Sequence, residues 1–179
     1  MLEWQPLYFY MKWMINMTLI KMGKIVNTHG IKGELRLLSK FPYKDKVFIN
    51  NMKIYIDKKD EEIINTYRKH KNFDMITLKG YSNINEVLKY KGKNVYVNDS
   101  DIKLDNNKYL DEELIGLNVI YEDNNKGTII DIERYDKTVL FNIKNNDKEY
   151  LIPYNENIID KIDINNKRIY IKDIKGLFD

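Results

Sequence analysis

The chain has 179 residues, 43% of them hydrophobic and 14 of them tyrosine, enough for one or two small domains with cores. It holds no cysteine, which excludes a disulfide framework or a thiolate metal site and suits a reducing cytoplasm. Its net charge of +3 conceals a polarity: residues 1–100 carry 18 Lys+Arg against 10 Asp+Glu, a net +8, and residues 101–179 carry 12 against 17, a net −5. The halves therefore suit different partners, phosphate for the basic half and a basic protein for the acidic one; two ordinary solvated surfaces are the plain alternative.

Residues 1–17 read as a leader. Trp4, Leu7, Tyr8, Phe9, Tyr10, Trp13 and Ile15 give it an apolar look, but Glu3, Pro6 and Lys12 interrupt the run. It falls short of the roughly 18 apolar residues of a membrane span, and no small-residue cleavage site follows. The expectation is a functional start at Met17, or a disordered extension before it. No other segment suits a bilayer.

Two strand-like pieces follow, Leu19–Val26 and Glu34–Ser39, around a tight loop holding Gly30 and Gly33. Glycines let the backbone take positive φ and approach other chain closely. The loop region displays His29, Lys32 and Arg36, which suit phosphates or unpaired bases. Glu34 is expected to order the loop through backbone N–H groups. Met52, Ile54 and Ile56 alternate with Lys53, Tyr55 and Asp57, the period of a strand. Arg68, Lys69, His70 and Lys71, beside Tyr67 and Phe73, form a second basic cluster of the kind that suits single-stranded RNA. A solvated hairpin end is the plain alternative for that cluster.

One helix is predicted. Asn83 caps it, Glu86 completes a capping box, Gly92 ends it, and Ile84, Val87 and Leu88 form its apolar stripe. Val95 and Val97 belong to another strand. Residues 98–108, rich in Asp and Asn, read as a linker between an N-terminal β domain at 18–97 and a C-terminal β domain at 109–179. In the second domain Val119 and Tyr121, then Ile169 and Ile171, mark strands separated by turns at 122–127, 144–147 and 164–167. The fold class is all-β, two small barrels with one or two short helices.

Catalytic chemistry finds little support. His29 and His70 are the only histidines, without a nucleophile at motif spacing, and no Gly-x-Ser-x-Gly elbow, Walker loop or His-Glu-x-x-His occurs. Asp123, Asn125 and Gly127 sketch a calcium loop. Thr128 stands where that loop needs Gly and Arg134 where it needs Glu, so a hairpin turn is the better reading. A strand rather than a helix follows Gly30 and Gly33, which rejects a dinucleotide site. The sequence implies no cofactor, no metal and no enzyme.

The run Gly23-Lys-Ile-Val-Asn-Thr-His-Gly-Ile-Lys-Gly-Glu closely resembles the N-terminal signature of the RimM family, bacterial factors that mature the head of the small ribosomal subunit. The resemblance continues in order through Lys79-Gly-Tyr-Ser-Asn-Ile-Asn-Glu-Val, Glu113-Leu-Ile-Gly, Gly127-Thr-Ile-Ile-Asp-Ile and Leu151-Ile-Pro. It implies an N-terminal barrel like those of translation factors and a C-terminal PRC-type barrel. It also implies a cytoplasmic, monomeric, non-enzymatic factor that binds a head ribosomal protein and 16S rRNA in immature 30S subunits. His29, Gly30, Lys32, Gly33, Arg36, Arg68 and Lys69 are the expected rRNA contacts. Family members carry a tyrosine pair where this chain has Tyr109 and Leu110; by resemblance this place binds the ribosomal protein, and a core role is the alternative for Tyr109. A general RNA-binding or translation-associated module remains the alternative function. An oxidoreductase-like or nucleotide-binding enzyme would need a cofactor site that the sequence lacks.

Overall fold

A computed structural model describes residues 18–135 and 138–178; the leader expected at residues 1–17 lies outside the described residues. The chain divides into two compact units between Asp105 and Asn106, inside the acidic stretch 98–108. No helix among the described residues is long and apolar enough to cross a membrane.

In the first unit the order is β1 (Leu19–His29), β2 (Glu34–Leu38), α1 (Lys44–Val47), β3 (Lys53–Ile56), β4 (Asp60–His70), β5 (Phe73–Leu78), α2 (Ile84–Val87) and β6 (Asn94–Asn98). The strands close into a barrel in the order β1-β2-β5-β4-β3-β6. Period-two alternation drives this closure, since every second residue turns inward. Ile25, Leu35, Leu37, Ile54, Ile56, Ile64, Ile76, Val95 and Val97 are all buried in it. Tyr55, expected on the outer face, is buried as well. The segment after β6 folds back there, and Tyr55 shares a surface pocket with Asn98, Ser100 and Asp101. The start of that segment is tied to the barrel, with the Asp99 N–H donating to the Thr18 carbonyl at 2.9 Å.

The α2 cap forms as the sequence predicts. The Asn83 side chain accepts from the Asn85 N–H at 2.9 Å, the Glu86 carboxylate accepts from the Asn83 N–H at 3.0 Å, and Gly92 follows at φ +85°. The apolar stripe differs. Leu88 is 45% exposed, while Tyr90 is buried in its place. After Val87 the helix tightens into a 3₁₀ turn over Leu88–Tyr90, whose period of three residues carries the buried series from Val87 to Tyr90.

The second unit contains α3 (Asp111–Leu114), β7 (Asn118–Tyr121), β8 (Asn124–Arg134), β9 (Val139–Asn145), β10 (Lys148–Pro153), β11 (Ile159–Asp163) and β12 (Arg168–Ile171). Its sheet runs β10-β9-β8-β7-β12-β11, antiparallel except where β12 joins β7 in parallel. Leu114, Val119, Ile129, Phe141, Ile143, Ile152 and Ile169 fill its core. Glu122 and Asp123, at φ +48° and +61°, make the β7–β8 turn. The Asn125 side chain accepts from the Gly127 N–H at 2.9 Å, so the stretch with a calcium-loop look is a hairpin.

One carboxylate lies inside the first barrel. Asp74 is fully buried, and the Lys44 ammonium from α1 reaches it at 2.6 Å. The Tyr67 hydroxyl donates to it at 2.9 Å, and the Tyr67 ring stacks on Phe48 at 5.3 Å. Burial, reinforced by the bond to Asp74, pushes the Tyr67 hydroxyl from 10.0 up to about 12. A buried charge with its partner removed is costly, whereas exposed pairs such as Lys53–Glu61 contribute little. Lys44→Ala, which leaves the buried Asp74 carboxylate without its cation, is expected to lower stability by roughly 3 kcal/mol and Glu61→Ala by less than about 1 kcal/mol, read by denaturant unfolding. Because the folded-state tyrosine titrates later than the unfolded one, its contribution is complete below pH 10 and is lost as pH rises toward 12. Replacing Tyr67 with Phe should flatten that part of the stability–pH curve.

Candidate functional site

β1 and β2 pair from Lys24 opposite Leu38 to His29 opposite Glu34. The connecting turn needs positive φ at Gly30 (+66°) and Gly33 (+77°). The two glycines differ in surroundings. Open space surrounds the missing Cβ of Gly30, whereas a Cβ on Gly33 would lie 2.9 Å from the Asn83 carbonyl oxygen. The Ile31 carbonyl accepts the Ile84 N–H at 3.0 Å. The capped start of α2 therefore holds the turn in place.

The β2–β5 ladder sets Leu35 opposite Ile76, Arg36 opposite Met75 and Leu37 opposite Asp74. β5 also pairs with β4, with Arg68 opposite Met75 and His70 opposite Phe73. Arg36, Met75 and Arg68 thus share one register row and one face. Two basic clusters separated in sequence become one surface. Glu34 takes the Arg68 guanidinium in a two-pronged pair, Nε to Oε1 at 2.8 Å and Nη2 to Oε2 at 2.6 Å, which raises the already high Arg68 pKa. Glu34 thus orders the surface through a side chain of the neighbouring hairpin, correcting the expectation of backbone N–H partners.

Arg36 is half-buried. Its guanidinium donates to His29 Nδ1 at 3.1 Å and lies 5.0 Å from the centre of the Phe73 ring. Since an arginine only donates, His29 Nδ1 is the acceptor of this contact. The His29 ring stacks with His70 at 6.1 Å. Arg36 Nε is buried without a hydrogen-bond partner among the described residues. Lys32 and Lys69 are exposed. The predicted cations therefore differ in kind: Lys32 and Lys69 extend into solvent, Arg68 is exposed but paired with Glu34, and Arg36 is packed into the surface rather than pointing outward. Phe73 as the seat of Arg36 and the His29–His70 stack were not legible from sequence spacing, because both depend on which hairpins become neighbours.

In the second unit Tyr109 is half-buried against the core and lines a groove of about 790 Å³ with Tyr154, Asn155, Glu156, Ile159 and Lys161. Tyr154, stacked on Phe141 at 4.7 Å, supplies a second aromatic ring to that groove. The groove walls mix Glu156 and Asp160 with Lys161 and Lys172, so the net negative charge of this half is not concentrated there. Leu110 is buried, at the residue preceding α3, and its N–H donates to the Glu113 carboxylate at 2.7 Å. Its side chain is thus less accessible than that of Tyr109 beside it.

Known proteins supply the comparison. The RimM N-terminal domain matches residues 20–102, and the RimM PRC barrel domain matches residues 111–177. The ribosome maturation factor RimM of Staphylococcus haemolyticus is 37% identical over 166 residues, covering 89% of this chain and 99% of its own. The factor of the same name from Shouchella clausii is 35% identical over 165 residues, covering 88% and 95%. Among solved structures, the 16S ribosomal RNA processing protein RimM of Pseudomonas aeruginosa aligns at 22% identity and a TM-score of 0.43, covering 86% of this chain and 96% of that one.

The packing of the site separates its cations by stability. Arg36→Ala is expected to cost roughly 1–3 kcal/mol, because it empties the seat on Phe73 and strips His29 of its donor. Lys32→Ala should stay within about 0.5 kcal/mol of the parent. Gly30→Ala should cost about 1–2 kcal/mol for its left-handed backbone, and Gly33→Ala clearly more, since the clash with Asn83 adds to the same strain. Thermal unfolding of the four variants checks the order.

Proposed function

This chain belongs to the RimM family, and from that premise we propose that it assists assembly of the 30S subunit head and processing of 16S rRNA without catalysing a reaction itself. The first barrel contacts rRNA through His29, Gly30, Lys32, Gly33, Arg36, Arg68 and Lys69. The second unit binds a basic ribosomal protein of the head at the groove that Tyr109 lines. The observation that supports this most is the convergence of two separate basic stretches, residues 29–36 and 68–71, on neighbouring hairpins of one barrel. Exposed lysines beside ordered guanidinium and imidazole groups suit phosphates together with unpaired bases. The net +8 of residues 1–100 adds long-range attraction for a polyanion. Such a factor acts by binding one assembly state more tightly than others, because a ligand shifts an equilibrium only by its differential affinity. It works as a monomer in the cytoplasm.

Sucrose-gradient fractionation of cells carrying a tagged copy tests the reading. The protein should travel with free small subunits and be scarce on 70S particles and polysomes. Equal occupancy of translating ribosomes would favour a general translation module. Tyr109→Ala should weaken binding of the free head protein by roughly 1–2 kcal/mol. Thermal unfolding of the same variant separates that loss from a loss of packing.

A further inference from the structure

The tip of the β1–β2 turn carries an isoleucine. Turn tips favour Gly, Asn, Asp and Ser, yet Ile31 is 83% exposed, more than any other large hydrophobic among the described residues. Its side chain projects from a backbone that cannot easily fold it away. Gly30 and Gly33 set the turn at positive φ, the Ile31 carbonyl is bonded to the Ile84 N–H, and Gly33 sits tight against Asn83. A single exposed aliphatic group is ordinary by itself. This one stands on a rigid tip between His29 and Lys32, at the edge of the Arg36–Arg68 surface, and its surroundings are those of a polyanion site.

We infer that Ile31 is an apolar wedge that packs against an unstacked, unpaired RNA base while Lys32 holds the adjoining phosphate. The inference rests on the proposed role of this loop in rRNA binding and adds the class of RNA it selects. Aliphatic side chains inserted at base steps are a known way to hold unstacked nucleic acid, and a fixed loop loses little freedom on binding. Lys32 would contribute the salt-dependent, sequence-independent part of affinity. Ile31 would contribute a salt-independent part, available only where a base is free to leave its stack. The loop thereby prefers loops and bulges to continuous duplex.

The test uses the full chain, an RNA hairpin with 2-aminopurine in its unpaired loop, and a fully paired duplex of equal length. The parent should bind the hairpin more tightly and raise its fluorescence. Ile31→Ser should bind the hairpin about tenfold more weakly, the scale of uncovering one branched aliphatic group. It should keep the salt slope, lose the fluorescence rise and bind the duplex unchanged. Ile31→Leu should restore both signals, and an unchanged melting temperature in both variants shows that the fold is intact. Lys32→Ala should weaken both RNAs and reduce the salt slope by about 1. If Ile31→Ser retains hairpin affinity and fluorescence while Lys32→Ala still lowers the slope, the wedge is wrong and the rRNA role of the loop stands. If neither variant changes RNA binding, both are wrong. If Ile31→Ser binds RNA normally but loses the basic head protein, the tip is a protein contact and the inference is overturned.

Discussion

Three residue pairs between β2 and β5 hold the first unit together and build its surface at once: Leu35 with Ile76, Arg36 with Met75, Leu37 with Asp74. Because side chains alternate along a strand, this one register sends Leu35, Leu37 and Ile76 into the barrel and lines up Arg36 with Arg68 on the other face. A slip of β2 by one residue would bury the Arg36 guanidinium and expose Leu35 and Leu37. The apolar core thus sets the geometry of the charged surface. No direct attraction among the cations is needed, and their mutual repulsion is offset locally by Glu34, whose carboxylate spans to Arg68.

The same register brings Asp74 into the interior, where it needs Lys44 and the Tyr67 hydroxyl. A buried carboxylate is poor evidence of stability, since apolar replacements often do as well. Here it ties α1 to β4 and β5, one way of fixing how the chain crosses the barrel between β2 and β3. The outer surface is graded in a comparable way. Arg36 and His29 are held by packing and hydrogen bonds, Arg68 by Glu34, and Lys32 and Lys69 extend into solvent. Ordered groups supply geometry, and exposed lysines supply charge, the division expected where phosphate attraction and base contact occur on one surface.

Much of this was legible in the sequence wherever the cause is local. Alternation marked Ile54 with Ile56, Val95 with Val97, Val119 and Ile169 as strand positions, and all are buried. Asn83, Glu86 and Gly92 marked both ends of the short helical stretch, because caps depend on residues three or four apart. What stayed hidden depends on tertiary neighbours. Nothing near Glu34 in sequence points to Arg68, which arrives through the β2–β5–β4 order. The parallel pairing of β7 with β12 joins residues about fifty apart and leaves no local trace. Leu88 is exposed and Tyr90 buried because one turn tightened. The domain matches to residues 20–102 and 111–177 identify the family without revealing any of these contacts.

The central claim is that two hairpins of the first barrel form one rRNA-facing surface while the second unit faces protein. Cross-linking of the full chain to immature 30S subunits, followed by mass spectrometry of the linked peptides, tests it most directly. RNA adducts should fall on peptides covering residues 29–36 and 67–73 together, and protein adducts on those covering Tyr109 and residues 154–162. RNA adducts confined to the second unit, with protein adducts on the β1–β2 and β4–β5 hairpins, would contradict the account.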